Sequence, residues 1–97
     1  TIAEILSDPD LSRVSAACAT EGYEVALSRK IKLGFTDPVA YVRDFGSKIP
    51  HARPSVLLDL MAKRKSEIDV INGSIPRPVN QTLTQLVRAK ERRLGCT

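Results

Sequence analysis

Ninety-seven residues are at most one domain's worth of chain, so a single folded domain is expected and a second is not. Forty-two per cent hydrophobic against 27% charged residues is ordinary globular chemistry and argues against a disordered chain. Fifteen Lys and Arg against eleven Asp and Glu leave a net charge of +4, a mild bias that suits small anions or a weak polyanion contact and demands neither.

In chain order, Ser7-Asp8-Pro9-Asp10 reads as a helix start. Asp8 can cap the free N–H groups, and Pro9 fits the first helical position, where its missing N–H is no loss. Leu11, Val14, Cys18, Gly22 and Val25 then step by three and four as a buried stripe running to about Ser28. Gly22 costs roughly 1 kcal/mol relative to Ala, tolerable where another helix approaches closely. The same start recurs at Thr36-Asp37-Pro38, with Val39, Val42 and Phe45 or Ile49 facing the core. Pro50 stops that helix, because the residue before a proline avoids helical torsions. Arg53-Pro54-Ser55 opens a third helix carrying Leu57, Leu58, Met61 and Ala62, with Lys63-Arg64-Lys65 at its carbonyl end. Ser66-Glu67-Ile68-Asp69 resembles a capping box with Asp in the Glu position, so a fourth helix is expected with Ile68, Ile71 and Ile75 as its apolar face. Pro76 to Pro78 closes it, and Val79, Leu83, Leu86, Val87, Lys90 and Leu94 mark a fifth. No segment alternates with period two. The expected fold class is all-α, an irregular bundle of about five helices.

Much chemistry is excluded. There is no Gly-x-Gly-x-x-Gly and no Gly-x-x-x-x-Gly-Lys, hence no self-contained nucleotide cradle. Cys18 and Cys96 form neither a disulfide framework nor a metal-ligand spacing, and His51 is the only histidine, in a turn where solvation suffices. Four aromatic residues and no Trp leave few stacking platforms for single-stranded nucleic acid. Apolar runs such as Ile5-Leu6 and Val56-Leu57-Leu58 fall far short of the roughly 20 residues of a membrane span, and no signal-peptide pattern opens the chain. A cytoplasmic location without a membrane partner is the expectation. What remains is Ser55 in the first turn of a helix, and Glu67, Asn72 and Asn80 interleaved with isoleucine and valine. Partly buried polar groups need partners, and a substrate can be one.

Those residues fall in the run Pro54-Ser55-Val56-Leu57-Leu58-Asp59, then Ser66-Glu67-Ile68-Asp69-Val70-Ile71-Asn72-Gly73, then Pro78-Val79-Asn80. The run resembles the C-terminal helical domain of the ketopantoate reductase (2-dehydropantoate 2-reductase) family, whose pattern is Pro-Ser-Met-Leu-Gln-Asp, an arginine-containing stretch, Thr-Glu-Ile-Asp-x-Ile-Asn-Gly and Pro-x-Asn. The Ser55 to Glu67 spacing matches without a gap. Ala52 stands where many members have asparagine, Leu58 replaces the usual glutamine, and Arg77 joins Pro78 directly where relatives carry a further stretch.

The resemblance implies a domain like the C-terminal domain of 6-phosphogluconate dehydrogenase, residues 1–97 being the substrate-side domain. Its NADP-binding Rossmann partner, with the cofactor glycines and the general-acid lysine, lies outside this chain. It further implies that Ser55 binds the carboxylate of a small 2-keto acid, that Glu67 is the catalytic carboxylate beside the substrate hydroxyl, and that Asn72 and Asn80 are supporting. The enzyme would reduce ketopantoate with NADP, a cofactor the isolated chain is not expected to bind, and a homo-oligomer is expected. A straight helix would hold Ser55 and Glu67 roughly 18 Å apart, so the reading requires a break near residues 64–66. Two alternatives stay open: a non-catalytic helical oligomerisation module derived from that domain, and a basic nucleic-acid-binding domain, less expected, which would use Lys63-Arg64-Lys65 and Arg88 to Arg93.

Overall fold

The aspartate–proline pairs set the frame. In the computed structural model, which describes residues 1–97, helices are the only regular structure and there is no strand. Five α-helices follow one another: α1 (Ile2–Ser7), α2 (Pro9–Ser28), α3 (Pro38–Ser47), α4 (Ser55–Met61) and α5 (Pro78–Leu94), with one 3-10 turn at Asn72–Ser74. The all-α expectation holds, with the helices distributed differently from the reading above. They fall into two compact units, Thr1–Ala52 and Arg53–Thr97.

In the first unit, Asp8 both ends α1 and begins α2. Its extended backbone (φ −80°, ψ 127°) is the conformation a residue before proline prefers, and its Oδ1 accepts from the N–H groups of Asp10 and Leu11, both at 2.9 Å. Asp37 does the same for α3, accepting from Ala40 N at 3.0 Å. Helix α1 was not expected. Its first free N–H groups donate to the turn after α3, Ile2 to Ala52 O and Ala3 to Pro50 O, both at 2.9 Å. That turn lets α1 lie against α3 at Gly46, where a Cβ would stand 2.9 Å from Leu6 Cδ1 and 3.1 Å from Ile2 Cγ2.

Because Gly46 faces inward, α3 is rotated away from the expected register. Phe45 is 58% and Ile49 40% exposed, correcting their placement in the core. On α2 the expected stripe is buried only at its end: Val25 is buried, while Leu11 and Val14 lie largely in solvent. Phe35 stacks on Tyr41 at 4.1 Å between centroids and lies 5.7 Å from Tyr23, tying the loop after α2 to both α2 and α3.

Three helices end alike. After α2, Lys30 N donates to Leu27 O and Ile31 N to Ala26 O, with Lys30 left-handed at φ 58°. After α4, Lys63 N donates to Leu60 O and Arg64 N to Asp59 O, with Lys63 at φ 57°. After α5, Gly95 N and Cys96 N reach Arg92 O and Glu91 O, with Gly95 at φ 68°. This paired closure satisfies the last carbonyls, and glycine is the residue it suits best.

In the second unit the expected fourth helix does not form. Residues 66–75 make one turn instead: Val70 N and Ile71 N both donate to Glu67 O, and Gly73 N reaches back to Ile68 O at 2.8 Å. A Cβ on Gly73 would sit 3.2 Å from that same carbonyl, so the tight return uses the missing side chain. Of the three isoleucines assigned to an apolar face, Ile68 is 3% exposed, Ile71 is exposed and Ile75 is half-buried. Leu57, Leu58 and Met61 of α4 are also exposed, as is Leu86 of α5 at 63%.

Candidate functional site

Helix α5 buries a polar face. Asn80 and Thr84 are fully buried and Glu91 is 8% exposed, so residues spaced by four and seven line the side turned to segment 66–77. The segment is fastened to that side by side chains. Asn72 Nδ2 donates to Asn80 Oδ1 at 2.7 Å, and Gln81 Nε2 donates to the carbonyls of Gly73 (3.1 Å) and Ile75 (2.9 Å). Arg88 pairs with Asp69. Ser66 Oγ donates to Glu91 Oε1 at 3.1 Å and accepts from Ile68 N at 3.3 Å. Ser66 is therefore not the expected capping-box serine: its hydroxyl reaches two residues ahead, and Asp69 is taken by Arg88.

The approach to this segment is equally fixed. Helix α4 stops at Met61, so the required break between Ser55 and Glu67 is present. Arg64 holds Asp59 Oδ1 through Nε (3.3 Å) and Nη2 (3.2 Å). The chain end pairs with the same stretch, Thr97 N donating to Lys63 O and Lys65 N to Thr97 O.

Among the four sequence-derived site residues, the structure joins Asn72 to Asn80. Asn80 is buried and Asn72 half-buried, in line with polar groups that need partners; Glu67 is exposed, contrary to the partial burial its apolar neighbours suggested. Ser55 is exposed at the first position of α4. A cleft of about 280 Å³ lined by Lys65, Asp69, Arg88, Glu91, Arg92 and Cys96 borders the segment, and neither Ser55 nor Glu67 is in its lining. Glu91, Gln81 and Arg88 were not singled out as a group from the sequence. The legible signal was the recurrence of polar residues at positions 80, 84, 88 and 91 of one helix.

Other chemistry has little to stand on. No group of three or more His, Cys, Asp or Glu side chains is placed to hold a metal ion, and no helix is long and apolar enough to cross a membrane. His51 lies exposed in the turn after α3. Burial, and then the charge of Glu21, push the Cys18 thiol above its ordinary value. NADP does not fit these residues: a dinucleotide pyrophosphate is seated by a glycine-rich loop between strand and helix, and these strandless helices and turns offer none.

The comparisons with known proteins agree with the motif. The family described as "Ketopantoate reductase PanE/ApbA C terminal" matches residues 1–91. A 2-dehydropantoate 2-reductase from Archaeoglobus fulgidus is 32% identical over 98 residues, covering 91% of this chain and 32% of the relative. The chain thus spans about a third of the length of the curated relative it matches. No solved structure matches. With the match extending over nearly all of both helical units, this chain belongs to the ketopantoate reductase C-terminal family.

Proposed function

We propose that this chain is the substrate-side domain of an NADP-dependent 2-dehydropantoate 2-reductase, in which hydride passes to the 2-keto carbon of ketopantoate. The observation that carries the reading is the exposed Glu67 carboxylate on a turn whose neighbours are tied down, in a chain whose residues 1–91 match the family. Glu67 orients the substrate hydroxyl; the Ser55 hydroxyl, exposed where α4 opens, receives the carboxylate. Asn72 and Asn80 support the turn and do not touch substrate. The hydride donor and the proton donor come from a dinucleotide-binding domain outside these residues, so the 97-residue chain alone turns nothing over.

The test is NADPH-dependent ketopantoate reduction by the intact protein carrying this segment. Glu67→Gln should lower kcat by about a hundredfold or more with little change in KM, as loss of a general acid–base or orienting carboxylate does. Ser55→Ala should act mainly on KM. Wild-type rates in both variants would end the assignment of roles, and turnover by the isolated chain would end the division of labour.

The same reading includes self-association through the first unit. Tyr41 and Phe45 on α3, and Ile49 in the turn after it, are each at least 40% exposed and line an apolar groove of about 220 Å³. Light scattering should show a dimer that Phe45→Glu dissolves; a monodisperse monomer at high concentration would refute it.

A further inference from the structure

Glu91 is placed where physics disfavours a carboxylate. It lies in the last turn of α5, where the helix dipole opposes negative charge, and it is 8% exposed, so its charge has left most of its water. Neighbouring positions on the same turn, Arg92 and Arg93, follow the usual preference for cations. A buried carboxylate oxygen there needs a hydrogen-bond donor as compensation for the lost water. The compensation is Ser66, whose hydroxyl donates to Glu91 Oε1 while receiving the N–H of Ile68.

That relay encloses Glu67. The residue before it is held by Glu91, the N–H of the residue after it by the Ser66 hydroxyl, and Asp69 by Arg88. Ile68 itself is buried, at 3% exposure. Ser66, Ile68 and Asp69 are each anchored, while the Glu67 side chain is exposed.

We propose that Glu91 is a positioning residue: through Ser66 it locks the backbone on which Glu67 is displayed. This rests on the reading of Glu67 given above. The geometry asks only for an acceptor at Oε1, so an uncharged amide in the same place should serve.

The experiment has two arms. In the 97-residue chain, amide hydrogen exchange at Ile68 is compared in wild type, Glu91→Ala, Glu91→Gln and Ser66→Ala. Buried hydrogen bonds of this kind imply a loss of Ile68 protection of about ten- to a hundredfold in Glu91→Ala and Ser66→Ala, retained protection in Glu91→Gln, and unchanged protection at Val25 in the other unit. Ile68 protection unaltered in Glu91→Ala, or lost equally in Glu91→Gln, would overturn the proposal. In the intact protein, Glu91→Ala should lower kcat in ketopantoate reduction with KM nearly constant, and Glu91→Gln should restore it. A kcat untouched by Glu91→Ala despite lost protection would also overturn it. Glu67→Gln separates the two ideas: if it leaves catalysis intact while the exchange results stand, the catalytic reading fails and the relay survives.

Discussion

Replacing Asn80 by alanine is the sharpest probe of how the second unit is held. The side chain is fully buried and its amide oxygen accepts from Asn72 Nδ2 at 2.7 Å. Truncation leaves the Asn72 amide without that acceptor, a loss of about 1–3 kcal/mol for a desolvated polar group. The vacated space adds about 1 kcal/mol, taking some 40 Å³ at the usual cavity coefficient. The sum, about 2–4 kcal/mol, is a large share of the roughly 5–15 kcal/mol that folds a chain of this size. Asn72→Ala should cost less, about 1–3 kcal/mol, because Asn72 is only half-buried and leaves little void. The double variant should then be more stable than the two costs added together predict, by about 1–2 kcal/mol, since the second truncation removes a partner already lost. Urea unfolding followed by far-ultraviolet circular dichroism measures all four proteins. Strict additivity, or an Asn80→Ala cost below about 0.5 kcal/mol, would show that the Asn72–Asn80 bond does not fasten the turn to α5.

Two further outcomes are expected. Lys30 and Lys63 hold left-handed torsions at helix ends that elsewhere in this chain fall to Gly95, so Lys30→Gly and Lys63→Gly should each stabilise by about 0.5 kcal/mol, strain relief exceeding the added chain entropy; denaturation midpoints that fall instead would refute the strain. Cys18 carries a raised thiol pKa, first from burial and then from Glu21. Above the unfolded value of about 8.5 the unfolded chain ionises while the folded one stays protonated, so stability should decline as pH rises from there toward the folded value. Cys18→Ser should remove that decline; an unchanged pH slope between the two proteins would count against the cause.

Local grammar was legible in the residues themselves. Asp8-Pro9 and Asp37-Pro38 start α2 and α3 because a capping carboxylate and a fixed proline torsion act within one turn of chain. Pro78 begins α5 by its fixed torsion alone, since Arg77 before it makes no side-chain cap, and α3 ends three residues before Pro50. The family was equally readable, because the spacing from Ser55 through Glu67 to Asn72-Gly73 is a property of the chain's order and not of its folding.

Burial and partnership were decided elsewhere. Which face of α3 turns inward depends on α1 meeting Gly46, and nothing within α3 signals that Phe45 will be left outside. Residues 66–75 carry helical spacing, yet Ser66 finds Glu91 twenty-five residues away, Asp69 finds Arg88, and Asn72 finds Asn80. Bonds like these close only after α5 is in place, and together they outweigh the weak preference of a short segment for a helix of its own. Periodicity reports where apolar side chains could face a core; only the packed chain settles that the inner face of α5 is polar and that Glu67 lies exposed.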